Sequence, residues 1–342
     1  MILNTWGVIV LLAATFGLSW LGTGLVRRFA LRRKILDVPN VRSLHEVPTP
    51  RGGGIVFSVL FLVALAGFLA TSIPHSDLWI ALLGGGVVVA LVGWMDDCRQ
   101  LPSFVRLGLY AVAAAWSAIW IDGFPVFALG FADIQLGWTG YIVSWALILG
   151  FTNIYNFMDG IDGLAGSEGA TVSLAVGILL LCSGELFAGW LFVGLSVALL
   201  GFLRLNWQPA RIFMGDVGSN LLGFVFATMA LTTGRFSDIS IWVWGILLGV
   251  FVVDGFLTFG RRMARRLPPY QAHRSHAYQG AVQRGYSHAQ VTAAVVGINV
   301  LLAGVATAAW LWPSSAVALV LLSYALLGGL HVKYSTLRGR KS

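Results

Sequence analysis

Charge is what this sequence has least of: 11% of its 342 residues are charged, while 58% are hydrophobic. An ordinary soluble domain carries about 25% charged residues. The deficit excludes a soluble fold, because helices over a chain of this length would need polar faces. Cysteine is nearly absent too. Cys98 and Cys182 are expected at opposite faces of a membrane, which argues against a disulfide framework. There is no Walker A sequence, no low-complexity tract and no stretch polar enough for a separate soluble domain. A cleavable leader is not expected. No basic segment precedes the apolar run Val8–Leu25, and basic residues rather than a small-residue cleavage site follow it.

What is present is a series of apolar runs, each near the ~20 residues that cross a bilayer. Helices are expected at about 4–25, 53–73, 78–95, 105–121, 138–155, 165–182, 186–203, 218–234, 240–260, 290–312 and 315–332. The fold class is therefore all-α: a polytopic membrane bundle of about eleven transmembrane helices, one catalytic domain over 1–342. With the N-terminus outside and each helix reversing the side, 21 of the 22 Lys and Arg residues fall in cytoplasmic segments, and Arg235 alone falls outside. That asymmetry sets the orientation and puts the C-terminus inside. It also accounts for the net charge of +8, so no nucleic-acid partner is expected. The external loops are short, except Asp122–Gly137, which reads as a small hairpin. The internal segments are longer and more polar, as functional loops usually are.

Four internal segments and one near the N-terminus carry the chemistry. Asp96 and Asp97 close the third helix. Side chains of adjacent helical residues diverge by about 100°, so the pair cannot face one point unless the helix ends there. A solvated helix end with Asp97 paired to Arg99 is the bland alternative, but two acids at a helix C-terminus oppose its dipole. Further on, Asn153, Asn156, Asp159 and Asp162 recur every third residue, with glycines at 160, 163 and 166. On a straight helix these groups would drift apart, and the glycines disfavour one. An unwound chain here would wrap all four around one ligand, at a depth where irregular backbone is tolerated if it lines a polar cavity.

Asp216 stands in a turn flanked by Gly215 and Gly218. A hard carboxylate there suits Mg²⁺, which takes one or two protein carboxylates plus phosphate oxygens. A capping role for Asp216 or Ser219 is compatible with that. The loop 261–287 holds four arginines and then His273, Arg274 and His276. Arginine and histidine suit phosphate oxygens, whereas two histidines without a suitable cysteine argue against zinc. Near the N-terminus, His45, Arg51 and the run Gly52-Gly53-Gly54 offer cations and helix-opening amides to an anion. Carboxylates, amides, glycine turns and cations on one face suit Mg²⁺ and a diphosphate. The Asp-Gly-Ile-Asp-Gly stretch lacks the continuation of the CDP-alcohol phosphotransferases. A transporter, the alternative from another class, should place its charges at mid-membrane, where Asp254 is the main candidate.

Five ordered motifs between Arg42 and Ser287 carry a resemblance. They are Pro-Thr-Pro-Arg-Gly-Gly at 48–53, Asp96-Asp97, Asn156-x-x-Asp159-Gly-x-Asp162-Gly-Leu, Phe213-Met214-Gly215-Asp216-x-Gly218-Ser219 and the histidine loop. The chain resembles the polyprenyl-phosphate N-acetylhexosamine-1-phosphate transferases, the glycosyltransferase family 4 type that includes the phospho-N-acetylmuramoyl-pentapeptide translocase. The form of the histidine loop is most similar to the bacterial branch that starts O-antigen and related surface glycans. The resemblance implies transfer of a sugar-1-phosphate from a UDP-N-acetylhexosamine to undecaprenyl phosphate, with release of UMP, at the cytoplasmic face of the bacterial inner membrane. It implies Mg²⁺, with Mn²⁺ as a substitute, and it leaves room for a homodimer. By the same resemblance Asp216 would bind the metal with Asn156 beside it. Asp96 and Asp97 would position the lipid phosphate or metal, and Asn156, Asp159 and Asp162 would hold the diphosphate and uridine. The histidine loop would contact the donor. Two positions depart from the pattern: His276-Ala277-Tyr278 stands where several relatives carry His-x-His, and Gln100 replaces a lysine.

Overall fold

The structure, a computed structural model, describes residues 5–39, 44, 45, 47–71, 73–124, 126–128, 133–267 and 274–335. His273 lies outside the described residues. The helices are α1 (Thr5–Arg33), α2 (Ile55–Ala70), α3 (Ser76–Arg99), α4 (Ser103–Trp120), α5 (Thr139–Phe157), α6 (Leu164–Cys182) and α7 (Leu186–Asn206). They continue with α8 (Asp216–Thr232), α9 (Ile241–Leu247), α10 (Gly249–Ala264), α11 (Ala277–Gln283), α12 (His288–Leu311) and α13 (Ala316–Tyr334). Two short antiparallel pairs accompany them: β1 (Leu36–Asp37) with β2 (Thr49–Pro50), and β3 (Val126–Ala128) with β4 (Asp133–Gln135). The second pair is the hairpin expected within Asp122–Gly137.

The protein is an all-α, multi-pass membrane protein. Among the described residues, eight helices are long and apolar enough to cross a bilayer singly, and the α9–α10 pair makes a ninth if counted as one span. Every expected segment holds a helix, but the expected eleven crossings include three elements that do not qualify singly. α2 has 16 residues, α5 is not among the eight, and the expected span at 240–260 is broken at Leu248 by a bend of 81°. Gly249 stands at that break, where a Cβ would lie 3.0 Å from the Leu327 side chain.

α8 is the axis of the bundle, with every residue from Val217 to Met229 buried. It packs between α3 and α5, and rings from several helices meet around it: Tyr155 and Phe192 both lie against Phe226. The outer helices expose large apolar side chains, Val300 and Leu301 of α12 among them. Lipid is as apolar as leucine, so such a surface is natural for a membrane protein.

The site end is fixed by backbone contact. A Cβ on Gly54 would sit 2.6 Å from Gly218 Cα, and one on Gly93 would sit 2.6 Å from Val217 Cα. Small residues let α2, α3 and the start of α8 meet main chain to main chain. The segment before α2 joins them. Phe213 N donates to Pro50 O at 2.8 Å, Gly53 N to Phe213 O at 2.9 Å and Gly54 N to Met214 O at 2.8 Å. The amides of Gly53 and Gly54 are thus spent on the chain, which corrects the expectation that these two are offered to an anion. The C-termini of α3, α5, α10 and α13 and the N-termini of α4, α6 and α8 gather at this end. Arg235 marks the opposite end, where it donates to the carbonyls of Ile121, Asp122 and Gly123.

Candidate active site

Asp97 and Asp96 part as adjacent helical residues must, although α3 runs two residues beyond them. Asp97 is buried and turns to the first turn of α8. Its Oδ1 accepts from Asp216 N at 3.0 Å and its Oδ2 from Val217 N at 3.2 Å. Two orphan amides of α8 are thus satisfied from another helix, and the dipole at that terminus favours the negative charge. Gly215 precedes them at φ +77, and a Cβ there would strike the Asp97 carboxylate at 2.4 Å. Glycine is what allows this turn to close over Asp97.

Asp96 faces the other way. Its Oδ1 accepts from Leu101 N at 2.6 Å, and its Oδ2 accepts from Arg106 Nη1 at 2.7 Å. The same Nη1 donates to Asp216 Oδ2, also at 2.7 Å. Asp216 Oδ1 accepts from Asn156 Nδ2 at 3.0 Å, and that amide also donates to Ser219 Oγ at 2.8 Å. Asp96, Asp216, Asn156 and Arg106 therefore form one connected cluster drawn from α3, α8, α5 and α4. Arg106 was not singled out from the sequence, where it served only as a topology marker. A signal existed, because a cation in the first turn of a helix opposes the dipole. Tyr110, one turn further along α4, is buried, and its hydroxyl has no hydrogen-bond partner among the described residues.

The Asn153–Asp162 stretch is divided rather than gathered. Asn153 and Asn156 are still helical, which corrects the expectation of an unwound chain from 153 onward; α5 ends at Phe157. Asn153 Nδ2 donates back to Leu149 O at 2.8 Å. Asp159 lies in the turn beyond. Burial pushes its carboxyl up to about 7, and the nearby carboxylates of Asp216, Asp162 and Asp37 add to the shift. Asp162 braces the loops: Oδ2 accepts from Ala210 N at 2.9 Å, Oδ1 lies 3.2 Å from His288 Nδ1, and its carbonyl accepts from Thr292 Oγ1 at 2.9 Å. The four groups do not converge on one point.

Arg51 holds the end of α3, with Nε donating to Asp97 O at 2.9 Å and Nη2 to Asp96 O at 3.0 Å. A guanidinium on the last carbonyls suits the negative end of the dipole. His45 sets its ring edgewise on Phe213, centroids 4.9 Å apart. Arg274 is half-buried and accepts at its carbonyl from Gln283 Nε2 at 3.1 Å.

His276 precedes α11 and is buried. Its Nδ1 lies 3.2 Å from Asp254 Oδ1. Asp254 also accepts from Ala277 N at 3.0 and 3.1 Å and from Thr258 Oγ1 at 3.0 Å, and His331 Nδ1 lies 3.1 Å away. The carboxylate inside α10 is thus the anchor of the histidine loop, not an isolated charge of the kind a transporter pathway would show. His331 carries no motif and was invisible in the sequence. Tyr278 donates to Phe157 O at 3.0 Å, against Gly160, where a Cβ would sit 2.1 Å from the hydroxyl. That contact gives the tyrosine in the departed triplet a local role, docking α11 on the end of α5.

Among the described residues no three His, Cys, Asp or Glu side chains form a ready metal cage. Mg²⁺ asks for less, since phosphate and water supply most of its ligands. The donor set fits it: hard oxygens of Asp216 and Asp96 share one cationic partner, and the Asn156 amide stands beside them. Chemically, the cluster can neutralise a phosphate-rich ligand with a divalent cation and Arg106.

The chain is similar to proteins already known. The pattern described as Glycosyl transferase family 4 matches residues 79–234. The chain is 30% identical over 273 residues to the Probable undecaprenyl-phosphate N-acetylglucosaminyl 1-phosphate transferase of Bacillus subtilis (strain 168), covering 78% of this chain and 75% of that protein. It is 29% identical over 349 residues to the Decaprenyl-phosphate N-acetylglucosaminephosphotransferase of Mycobacterium tuberculosis (strain ATCC 25618 / H37Rv), covering 91% and 85%. It is also 29% identical over 302 residues to the Undecaprenyl-phosphate alpha-N-acetylglucosaminyl 1-phosphate transferase of Salmonella typhi, covering 83% and 79%.

Proposed function

The chain belongs to glycosyl transferase family 4, in the superfamily of polyprenyl-phosphate N-acetylhexosamine-1-phosphate transferases, and on that premise we propose that it moves an N-acetylhexosamine-1-phosphate from a UDP-sugar to undecaprenyl phosphate. The observation that carries the proposal is the cluster in which Arg106 bridges Asp96 and Asp216 beside Asn156. A phosphate oxygen of the acceptor attacks the β-phosphorus of the donor. The bond from that phosphorus to the bridging oxygen breaks, and UMP leaves with the oxygen. The product is a polyprenyl-diphospho-sugar.

Asp216 and Asn156 would hold Mg²⁺, or Mn²⁺ in its place, with Asp96 completing the cluster, and the ion would supply charge neutralisation for the phosphates. Arg106 adds a fixed cation near the reacting phosphates. Asp97 acts through the backbone, setting the α8 terminus and therefore Asp216. Asp159 and the loop of Arg274 and His276 face the donor, with Arg51 and His45 at the rim. The acceptor needs no strong base, because a phosphate monoester has a second pKa of about 6.

The near-exclusive placement of Lys and Arg on one side supports an active site facing the cytoplasm, with the protein in the bacterial inner membrane. Initiation of O-antigen or a related envelope glycan is the role that this chemistry serves. Purified protein with undecaprenyl phosphate, Mg²⁺ and a donor panel tests the proposal. UDP-GlcNAc should release UMP, and UDP-GalNAc and the 6-deoxy donors rank the specificity. No UMP from any member of the panel would overturn it.

A further inference from the structure

Three helices carry apolar stripes that face one another without closing. Val250 and Val253 lie on one face of α10, Leu327 and Leu330 on one face of α13, and Val291, Val295 and Ile298 on one face of α12. Between them lies a cavity of about 450 Å³. α11 closes it with Ala277, Tyr278 and Ala281. The polar groups in its wall are largely engaged: Asp254 by the donors described above, and Gln290 by the capping box with Ser287.

The mouth has a different chemistry. Tyr286 and Tyr334 both line it, their rings 6.3 Å apart in an edgewise contact. The Arg284 guanidinium stands 5.4 Å from the Tyr334 ring centre and the Lys333 ammonium 5.3 Å. Both cations are exposed. Tyrosines paired with cations are the pattern of a membrane–water interface. Cations beside an opening between helices recognise anionic headgroups. The Tyr334 end leads inward to Leu327 and Val250, deeper by one or two helical turns.

We propose that this cavity binds one anionic phospholipid, with one of its two acyl chains between α10, α12 and α13, the other in the surrounding bilayer, and its phosphate between Arg284 and Lys333. The size favours a single chain, since the volume lies toward the small end of ligand pockets and a long polyprenyl tail would overfill it. Met158 and Leu164 complete its wall beside the Asp159–Asp162 turn, but Asp96, Arg106 and Asp216 do not line it, and the proposal does not depend on the reaction assigned to that cluster. It places the lipid under α11, the helix that His276 introduces.

The test is native mass spectrometry of the full chain in a neutral detergent, titrated in parallel with phosphatidylglycerol, phosphatidylcholine and undecaprenyl phosphate. Phosphatidylglycerol should bind in preference to phosphatidylcholine, and an excess of undecaprenyl phosphate should leave it in place. Arg284→Ala with Lys333→Ala should weaken phosphatidylglycerol roughly thirty-fold, at roughly five-fold per cation, and weaken phosphatidylcholine, whose choline offsets its phosphate, by much less. Ala294 lies in the α12 wall of the cavity, so Ala294→Trp should fill it and remove the adduct. If that variant fails to fold, the two exposed-charge substitutions still decide the matter. Equal retention of both phospholipids, or retention unaffected by the charge substitutions, overturns the proposal. Displacement of phosphatidylglycerol by undecaprenyl phosphate would assign the cavity to the acceptor tail and overturn it too.

Discussion

Asp97 caps the helix that Asp216 begins, accepting from the Asp216 amide at 3.0 Å and the Val217 amide at 3.2 Å. The two acids of the pair therefore do different work. Asp97→Asn keeps the shape but loses charge against the helix dipole, and can present an N–H to an amide. It should lower the melting temperature, at a cost of about 1–2 kcal/mol, together with turnover. Asp96→Asn should lower turnover with a smaller change in melting. Equal melting losses in the two variants would contradict this division.

Asp216→Asn should reduce UMP release roughly a hundred- to a thousand-fold, with the protein still inserted and monodisperse. The amide keeps the shape of the side chain but can accept only one of the bonds from Arg106 and Asn156, and it removes a charge from the cluster. Activity near wild type in Mg²⁺ would remove Asp216 from the metal site.

Arg106→Ala leaves Asp96 and Asp216 facing each other without their shared cation. Binding to the native state alone stabilises it, so Mg²⁺ should raise the melting temperature of this variant more than that of the wild type. Turnover should fall in the same variant. A smaller Mg²⁺ shift than in the wild type would show that Arg106 assists the cation rather than competing with it.

Asp159 gives a pH signature. Its folded carboxyl titrates near 7, above the ordinary value, so the native state holds that proton more tightly than the unfolded chain does. Its favourable contribution is complete at acid pH and is lost as pH rises toward and through 7. Asp159→Asn removes the penalty. In metal-free protein the variant should gain melting temperature over the wild type at pH 8 and lose that advantage near pH 5. A constant difference across that range would reject the assignment.

Gly160→Ala should displace Tyr278, because the added Cβ falls 2.1 Å from its hydroxyl. Donor KM should rise as α11 shifts. Adding Tyr278→Phe removes the clashing atom, so the double variant should recover part of the loss despite giving up the bond to Phe157. Additive losses in the cycle would mean that the two residues do not communicate through this contact.

The fold was legible wherever a single segment decides its own structure. Apolar runs gave every helix except α11, which lies inside the expected loop 261–287, and the glycine-flanked Asp216 and the Asp96-Asp97 pair both reach the cluster. The failures share a cause. Arg106 and His331 act through partners far away in the chain, as does Asp254, whose charge the sequence shows but whose histidine partners it does not; the one mark on Arg106 is its place in a first helical turn. Asn153 and Asp162 have suitable spacing, but α5 stays helical through Phe157, so Asn153 and Asn156 keep helical directions while Asp159 and Asp162 lie in the turn beyond. The bend at Leu248 was hidden because both halves are apolar.

The glycine junction has a consequence for how this protein can change. Side chains absorb substitutions by choosing another rotamer, but Gly54, Gly218 and Gly93 meet their neighbours through bare main chain and have no rotamer to choose. Mutation can therefore redraw the lipid-facing skin of α12 and α13 without moving a carboxylate. The same single-methyl change at the junction would shift whole helices, and with them the register between Asp96 and Asp216. The molecule is plastic at its periphery and brittle at one point, and its reactive groups are mounted on the brittle point.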